Sequence, residues 1–348
     1  MSRLSPPMEL TTPEDPPARS LAETAREVMK ARTEQVLRTC CGPQIIGALS
    51  DDDVVEIMAN PDGQVWIDTH SRGQLAFSRI AAADAANVVR TVASMMGETV
   101  DSRTSAEIGG VLPGGERFQG LLPPLVAQAS FTIRKRSIRV FGLSDYLESG
   151  TISQEQHDVL REGIAARKNL LVVGGTGSGK TTLCNALLAD EGFADHRVVI
   201  IEDTKELQCS ARNKAELLTS RENPVVTMTD LLRSTMRLRP DRIVVGEVRG
   251  GEALDLIKAW NTGHPGGLGT LHADGAAQGL KRLESLVGEV AVNVDREAIG
   301  EAIDYIVAIR RTPEGRKVDQ IIEVERYDPV AKVYVTRPVG GQDLPGSS

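Results

Sequence analysis

The sequence contains no long apolar run. Its longest apolar stretches are about the length of one buried strand, well short of the roughly 20 residues that a helix needs to span a bilayer. Its first residues also lack the apolar segment of a secretory signal peptide. We therefore expect a cytoplasmic protein, and we expect any association with a membrane to be peripheral.

Cysteine is scarce, and the spacing of the cysteines argues against two kinds of site. The four cysteines are Cys40, Cys41, Cys184 and Cys209. None belongs to a C-x-x-C pair, so the sequence supports neither a zinc site nor a framework of disulfides. In a cytoplasmic protein we expect these thiols to be reduced.

Basic residues are fewer than acidic ones. The 40 Lys and Arg against 48 Asp and Glu give a net charge of −8, which argues against nucleic-acid binding over a large surface. Local basic patches are compatible with this balance. Direct DNA binding is therefore not expected.

The order of patterns along the chain predicts two folded domains, as a length of 348 residues also suggests. The proline-rich residues 1–19 are predicted to form a disordered tail. Short strands around a helix predict an α+β domain over residues 20–136, and residues 137–150 look like a linker. Alternating strands and helices predict an α/β domain with a mostly parallel sheet over residues 151–340, before a tail at 341–348.

The most specific motif fits the phosphate-loop pattern G-x-x-x-x-G-K-[ST]. Its residues are Gly174, Gly175, Thr176, Gly177, Ser178, Gly179, Lys180 and Thr181. The glycines let the backbone turn its N–H groups toward phosphate oxygens, Lys180 adds a positive charge, and the Thr181 hydroxyl suits Mg²⁺. An apolar strand precedes the loop, and a helix continues from Thr182 with its positive end toward the phosphates. The motif predicts binding of a nucleoside triphosphate.

Carboxylates follow two later apolar strands. Glu202 and Asp203 end the first, and Glu247 follows Gly246 at the end of the second. Ligands of an open α/β sheet bind at the carboxyl ends of its strands, and glycine permits close backbone approach to a ligand. Either acid could merely cap the next helix, but both after a phosphate loop favour Mg²⁺ binding and orientation of an attacking water.

A glycine-rich stretch over residues 261–273 carries His264 and His272. A metal site is weakly supported, because the histidines are not at i and i+4 and no third ligand is near in sequence. The better functional interpretation is a γ-phosphate sensor or a subunit-contact loop. Its four glycines would allow it to move when the nucleotide exchanges.

The order of these motifs resembles the secretion-ATPase family of type II and type IV secretion systems and type IV pili. The phosphate loop is followed by a segment similar to the family's Asp box, then its variant Walker B motif, then its two-part His box. These segments are residues 202–204, 246–249, 262–264 and 270–273. Residues 51–63 resemble the start of the family's N-terminal domain.

A narrower resemblance is to the conjugal-transfer members of that family. It is carried by residues 250–256, 259–260 and 263–267. The resemblance implies a homohexameric ring, each subunit having a PAS-like N-terminal domain and a RecA-like ATPase domain. It also implies a place at the cytoplasmic face of the inner membrane, in contact with other type IV secretion components.

Arginines complete the expected site. In the family, N-terminal-domain arginines at matching places reach the nucleotide phosphates, which points to Arg117 and Arg134 here. Arginine suits the task because its planar fork grips phosphate oxygens in pairs. A second cluster is expected to form a subunit-contact face. Its members are Arg233, Arg237, Arg239 and Arg242.

The expected reaction is hydrolysis of ATP to ADP and phosphate. Lys180 and the loop amides through Thr182 would bind phosphates, Thr181 would ligate Mg²⁺, and Glu247 would hold the ion through water. Glu202 is the expected base that orients the attacking water, with the two glutamates' roles open to exchange. The expected catalytic set also includes His272, and the nucleotide-binding set includes His264.

Other functions stay open at this point. The main rivals within the family are a motor for pilus retraction and one for type II secretion; the absence of cysteine after Cys209 counts against members that carry a four-cysteine zinc insert. A nucleotide-gated structural switch with incidental turnover is the rival from another class. A small-molecule kinase is a distant third, because no acceptor or lid motif is present.

Overall fold

The computed structural model describes most of the chain. The described residues are 39, 41–69, 71–98, 100, 105–112, 114–135, 140–220, 224–313 and 315–341. The chain separates into two compact units, Met1–Arg136 and Ser137–Ser348. The predicted tail at residues 1–19 lies outside the described residues, as does all but the first residue of the tail predicted at 341–348.

The first unit is a six-stranded antiparallel sheet with the strand order β3-β2-β1-β6-β5-β4. The strands are β1 (Val54–Ala59), β2 (Gln64–Thr69), β3 (Gly73–Arg79), β4 (Glu107–Val111), β5 (Arg117–Leu121) and β6 (Ser130–Arg134). Among the described residues of this unit are the helices α1 (residues 41–50) and α2 (Ala82–Met95).

Alternation of side chains gives this sheet one buried face. In β6, Phe131 and Ile133 are buried while their neighbours are not, as expected for a strand with one face on a core. The apolar side of α2 contributes Val88, Val89 and Val92 to the same core, all fully buried. Strand β3 is not predicted from the sequence, because it is an edge strand without a fully buried residue to set a period.

The second unit is an eight-stranded sheet with the strand order β14-β13-β12-β7-β11-β10-β8-β9. The strands are β7 (Leu170–Gly174), β8 (Arg197–Glu202), β9 (Asn213–Leu218), β10 (Arg242–Val248), β11 (Leu268–His272), β12 (Tyr305–Thr312), β13 (Gly315–Asp328) and β14 (Val333–Val339). The six strands from β12 to β9 are parallel, whereas β13 and β14 pair antiparallel at one edge.

Helices cover both faces of this sheet. The helices are α3 (Leu143–Glu148), α4 (Gln154–Ala165), α5 (Lys180–Leu188), α6 (Met228–Thr235), α7 (Glu252–Asn261), α8 (Ala276–Gly288) and α9 (Arg296–Ala302). The first three share a core on one face and the other four a core on the opposite face. Every residue of β7 is buried, as is typical of a parallel strand covered on both sides.

The segment expected to be a linker, residues 137–150, contains α3. Leu143 and Tyr146 of this helix are buried in the core beside α4 and α5. The short helix therefore packs as part of the second unit. Its two apolar anchors are only three residues apart, which is too short a pattern to predict a helix from sequence.

In the part of the chain that the structure describes, no helix is long and apolar enough to cross a membrane. Cys41, Cys184 and Cys209 are buried, and Cys40 lies outside the described residues. Burial raises the pKa of the Cys209 thiol above its usual range.

Candidate nucleotide site

The predicted phosphate loop joins β7 to α5. Gly177 and Gly179 have φ values of +70° and +100°, in the left-handed region that favours glycine. At Gly174, a Cβ atom would lie 2.3 Å from the carbonyl oxygen of Ile309, so a side chain cannot be accommodated without displacing β12. The loop conformation thus depends on these glycines, and it delivers the chain to the first turn of α5, where backbone N–H groups lack intrahelical partners.

Lys180 is folded back over the loop. Its Nζ donates hydrogen bonds to the carbonyl oxygens of Gly174 at 2.7 Å and Gly175 at 3.0 Å. Thr181 and Thr182 follow in the first turn and are half-buried. The ammonium group is therefore held at the loop itself, where phosphate oxygens would be bound.

The order of strands brings the predicted catalytic residues to one edge of the sheet. Strand β11 lies between β7 and β10, and His272 at its end is the register partner of Gly174. Neighbouring strands are about 4.8 Å apart, so Glu247 lies two strands, or about 10 Å, from β7, and Glu202 three strands, or about 14 Å. The structure thus brings together Lys180, His272, Glu247 and Glu202 at the carboxyl edge.

Glu202 is buried and serves as an anchor for the segment that follows it. Its Oε1 accepts hydrogen bonds from the backbone N–H groups of Glu206 at 3.0 Å and Leu207 at 2.9 Å. Burial raises the pKa of the Glu202 carboxyl above its usual range, although the two amide hydrogen bonds oppose that shift. A carboxyl with a raised pKa is a better proton acceptor when it is ionised.

Gly246 has a different role from the one expected. A Cβ atom there would lie 2.9 Å from the Cγ of Glu202, so the missing side chain makes room for that glutamate. The expectation that Gly246 allows the backbone to approach a ligand is corrected: the neighbour is a side chain from the adjacent strand. The carbonyl oxygen of Gly246 also accepts a 2.6 Å hydrogen bond from the Thr270 hydroxyl of β11.

Glu247 is bound by Arg249, two residues further along the chain. Arg249 Nε donates to Glu247 Oε2 at 2.8 Å, and its Nη2 contacts the same oxygen. Arg249 Nη1 donates to Asp203 Oδ2 at 3.2 Å. One guanidinium therefore joins the carboxylates that end β8 and β10.

The two histidines lie at opposite ends of the parallel strands, His272 at the carboxyl end and His264 at the amino end. His272 ends β11, whereas His264 precedes the start of that strand, where its Nδ1 donates to the carbonyl oxygen of Ala259 at 3.2 Å. Five residues at about 3.3 Å each separate the two edges. The expectation that His264 and His272 act in one loop is therefore wrong within a single chain, and His264 is not brought to the nucleotide edge of its own chain.

Part of this stretch is a strand, and one of its glycines, Gly267, is required by packing. Residues 268–272 form the central strand β11 and Asn261 ends α7, so the loop expected over residues 261–273 is confined to residues 262–267. A Cβ atom at Gly267 would lie 2.1 Å from Nε1 of Trp260. Because the indole of Trp260 packs against this backbone, a side chain at Gly267 is excluded.

Arg117 and Arg134 lie side by side in the first unit. They are register partners on β5 and β6, and Glu56 of β1 pairs with Arg134 on its other side. Burial raises the pKa of Glu56, while the charge of Arg134 opposes that shift. The structure thus gathers the two predicted arginines into one cationic pair; their contact with a nucleotide stays a prediction.

Arg242 is buried rather than part of a subunit-contact face. It is 1% exposed, and its guanidinium donates to the carbonyl oxygens of Ile164 at 2.9 Å and Gly192 at 2.8 Å. It also lies 4.5 Å from the ring centroid of Phe193. Burial lowers the pKa of Arg242 to about 10. The expectation for this member of the cluster is wrong, because the side chain ties α4 to the start of β10.

Arginines of the β12–β13 hairpin lie beside the phosphate loop, and no sequence motif points to them. The Cδ of Arg316 lies 2.7 Å from where a Cβ on Gly179 would be, and Arg311 is the register partner of Arg316. Arg310 and Arg311, with Asp319 and loop residues, line a cleft of about 220 Å³. The only signal in the sequence is that basic residues flank the turn between the two strands.

The donors at this edge fit a triphosphate with Mg²⁺. Hydroxyl and carboxylate oxygens, as on Thr181 and Glu247, are the ligands that Mg²⁺ prefers, usually with several waters retained. The Ser178 hydroxyl is buried in the loop, and no hydrogen-bond partner for it exists among the described residues. A phosphate oxygen would supply that partner.

A phosphate loop after a buried parallel strand, with carboxylates at the ends of two other strands, is typical of proteins that bind a nucleoside triphosphate. Residues 112–341 match the family model of Type II/IV secretion system proteins, and the chain belongs to that family. The predicted resemblance to secretion ATPases is thereby confirmed.

Within that class, the chain is similar in sequence to proteins of conjugation. It is 48% identical over 299 residues to the probable conjugal transfer protein TrbB of Sinorhizobium fredii, a match covering 85% of this chain and 91% of that protein. It is 47% identical to the conjugal transfer protein TrbB of Rhizobium radiobacter, with the same coverage. The X-ray structure of the ATPase DotB from Legionella pneumophila shares the fold, with a TM-score of 0.57 at 19% identity over 87% of this chain and 81% of that one.

Proposed function

We propose that this protein hydrolyses ATP to ADP and phosphate with Mg²⁺, and that a ring of six copies uses the reaction to power conjugal DNA transfer or pilus assembly by a type IV secretion system. The observation that carries the proposal is that the expected catalytic residues lie together at the carboxyl ends of the parallel strands. The loop with Lys180, the end of β11 with His272, and the acidic ends of β10 and β8 meet along one side of the sheet.

The strand order supports a RecA-like assignment for the second unit. A strand, β11, is inserted between the phosphate-loop strand β7 and the acidic strand β10. That insertion separates Glu247 from the phosphate-loop strand by about 10 Å, with the end of β11 between them, and we infer that the nucleotide and the attacking water occupy this interval. The antiparallel sheet of the first unit, covered by α2 on one face, supports a PAS-like assignment there.

Each residue of the edge has a task in this reaction. Lys180 and the amides of the loop and first turn bind phosphate oxygens, and Arg117 and Arg134 add charge from an N-terminal domain. Bound Mg²⁺ would neutralise charge that develops on the phosphates, and Thr181 with the acidic edge would hold it. His272, the register partner of Gly174, would sense the γ-phosphate.

The geometry favours exchanging the roles expected for the two glutamates. Glu247 is one strand nearer to the phosphate loop than Glu202, a difference of about 5 Å. Glu202 is also buried, with its Oε1 bonded to the amides of Glu206 and Leu207, whereas Glu247 is only partly buried. We therefore assign water orientation to Glu247, and we assign to Glu202 the placement of the segment after β8.

Genetic complementation of a conjugating donor strain tests the coupling to DNA transfer. Lys180→Ala should abolish transfer because it removes the phosphate-binding charge, and Glu247→Gln should abolish transfer while still binding ATP. Full transfer by the Glu247→Gln variant would favour a structural nucleotide switch and contradict the motor. Light scattering with and without ATP and Mg²⁺ tests the ring, and a strict monomer under both conditions contradicts it.

A further inference from the structure

Arg249 is the hub of a charge network at the nucleotide edge. Two of its nitrogens contact Glu247 Oε2, and a third donates to Asp203 Oδ2 at 3.2 Å. Asp203 Oδ1 accepts a 2.9 Å hydrogen bond from the Thr219 hydroxyl, which follows β9. The network therefore runs across the ends of three strands, β10, β8 and β9.

The backbone at Arg249 is held as firmly as its side chain. The N–H groups of Arg249 and Gly250 both donate to Glu252 Oε1, at 2.6 Å and 2.9 Å. Glu252 is the first residue of α7, so its carboxylate fixes the turn between β10 and that helix. The guanidinium is thereby presented from a fixed backbone position.

The guanidinium is suited to this place in a way that other side chains are not. Its planar fork binds Glu247 with two nitrogens while a third is aimed at Asp203, whereas a lysine ammonium has no such fixed geometry. Among the described residues, Arg249 is the one cation within ion-pair distance of Glu247 and Asp203. Without it, Glu247 and Asp203 would both lose the cation that pairs with them among the described residues.

We propose that Arg249 is a positioning residue: its guanidinium fixes the Glu247 carboxylate toward the nucleotide and ties it to Asp203, so that the segment after β8 and the end of β10 hold one arrangement. Occupation of Glu247 Oε2 leaves Oε1 as the oxygen that can orient water. The inference rests on the proposed ATP hydrolysis, in which Glu247 is the residue that acts on the water.

Kinetics of Arg249→Gln, Arg249→Lys and Glu247→Gln test this role. Arg249→Gln should lower kcat by about 10- to 100-fold, as loss of an outer partner does, with the Kd for a fluorescent ADP analogue changed less than about threefold. Arg249→Lys should recover part of the loss, since it restores the charge and not the fork. When Glu247→Gln is already present, adding Arg249→Gln should lower kcat by less than about a further twofold, because both substitutions act through the Glu247 carboxylate.

Arg296→Gln is the matched control. It removes an arginine of similar exposure that pairs with Glu284 at 3.0 Å in the same unit, away from the loop. It should leave kcat and nucleotide affinity unchanged. Equal kcat for Arg249→Gln and Arg296→Gln, or a full multiplicative loss in the Glu247→Gln background, would overturn the inference.

Hydrogen exchange without nucleotide separates this inference from the proposed function. In Arg249→Gln, amides 204–207 should exchange at least about threefold faster than in wild type, because Asp203 has lost its tie to β10, and in Arg296→Gln they should not. If these amides exchange at the wild-type rate in Arg249→Gln, the proposed link from Glu247 through Arg249 to Asp203 is wrong, whatever the turnover rate. A wild-type chain that binds ATP and does not hydrolyse it would overturn the proposed function, and the exchange result would still decide on the bridge.

Discussion

Replacing Glu202 by alanine or by glutamine should separate its role as an anchor from any chemical role. Both substitutions remove the carboxylate. Only alanine also removes the acceptor for the backbone N–H groups of Glu206 and Leu207. If the main task of Glu202 is to hold that segment, the two variants should differ strongly in stability.

The structure sets the size of that difference. The amide of Leu207 is buried and that of Glu206 partly buried, and an unsatisfied buried N–H costs about 1–3 kcal/mol. Glu202→Ala should therefore be less stable than Glu202→Gln by about 2–4 kcal/mol, because the glutamine oxygen can still accept both bonds. Since each kcal/mol shifts Tm by about 2–4 °C in a domain of this size, a gap of roughly 4–16 °C is expected.

The pH dependence of stability provides a second test, which concerns the direction of the Glu202 pKa shift. Burial, opposed by the two amide hydrogen bonds, raises the pKa of Glu202 in the folded chain. A group with a raised folded pKa stabilises the fold below its unfolded pKa and loses that contribution as pH rises through the folded value. Glu202→Gln should therefore be more stable than wild type above the folded pKa of Glu202, and this advantage should vanish on acidification toward the ordinary glutamate pKa of 4.5.

Urea unfolding followed by circular dichroism, at a series of pH values from the ordinary glutamate pKa of 4.5 upward, measures both effects. Arg296→Gln serves as a control whose stability should follow the wild-type pH curve. Equal midpoints for Glu202→Ala and Glu202→Gln would refute the anchoring role. If the stability difference between Glu202→Gln and wild type does not change with pH, the conclusion that burial raises the pKa of Glu202 is refuted.

Two further predictions concern β11 and its surroundings. Gly267→Ala should destabilise the second unit by about 1–3 kcal/mol, because a Cβ atom would lie 2.1 Å from the indole of Trp260; an unchanged midpoint in urea would contradict this packing. His272→Asn should lower the rate of phosphate release about 10-fold or more, as the loss of a positioned catalytic group does, whereas His264→Asn should leave nucleotide affinity in a single chain unchanged. A loss of nucleotide affinity by a single chain carrying His264→Asn would contradict the placement of His264 away from the phosphate loop, and an unchanged rate of release in His272→Asn would contradict the role of His272.

Local patterns were sufficient to predict the phosphate loop and its supporting strand and helix. The strand before the loop has 5 residues and the helix after Gly179 has 9, and both are continuous with the loop in the chain, so a single local pattern marks all three. The same holds for the acidic ends of β8 and β10. What these patterns cannot provide is the order of the strands, because β11 pairs with β7, which lies far earlier in the chain, as well as with β10.

The residues whose roles were misinterpreted also have contacts with strands or segments that are distant in sequence. Gly246 reads as a ligand-approach site until Glu202 of the neighbouring strand is placed against it. Arg242 reads as a surface residue until the carbonyl groups of α4 and the segment before β8 surround it. Arg316 has no motif at all, and only the antiparallel return of β13 beside β12 brings it to Gly179.

Phosphate release from ATP by the purified full chain tests the proposed hydrolysis most directly. Release should require Mg²⁺, should be lost in Lys180→Ala together with nucleotide binding, and should fall about 100-fold or more, to a low but measurable rate, in Glu247→Gln while ATP still binds. Lys180→Ala with wild-type turnover, or a wild-type chain that binds ATP and Mg²⁺ without releasing phosphate, would contradict it.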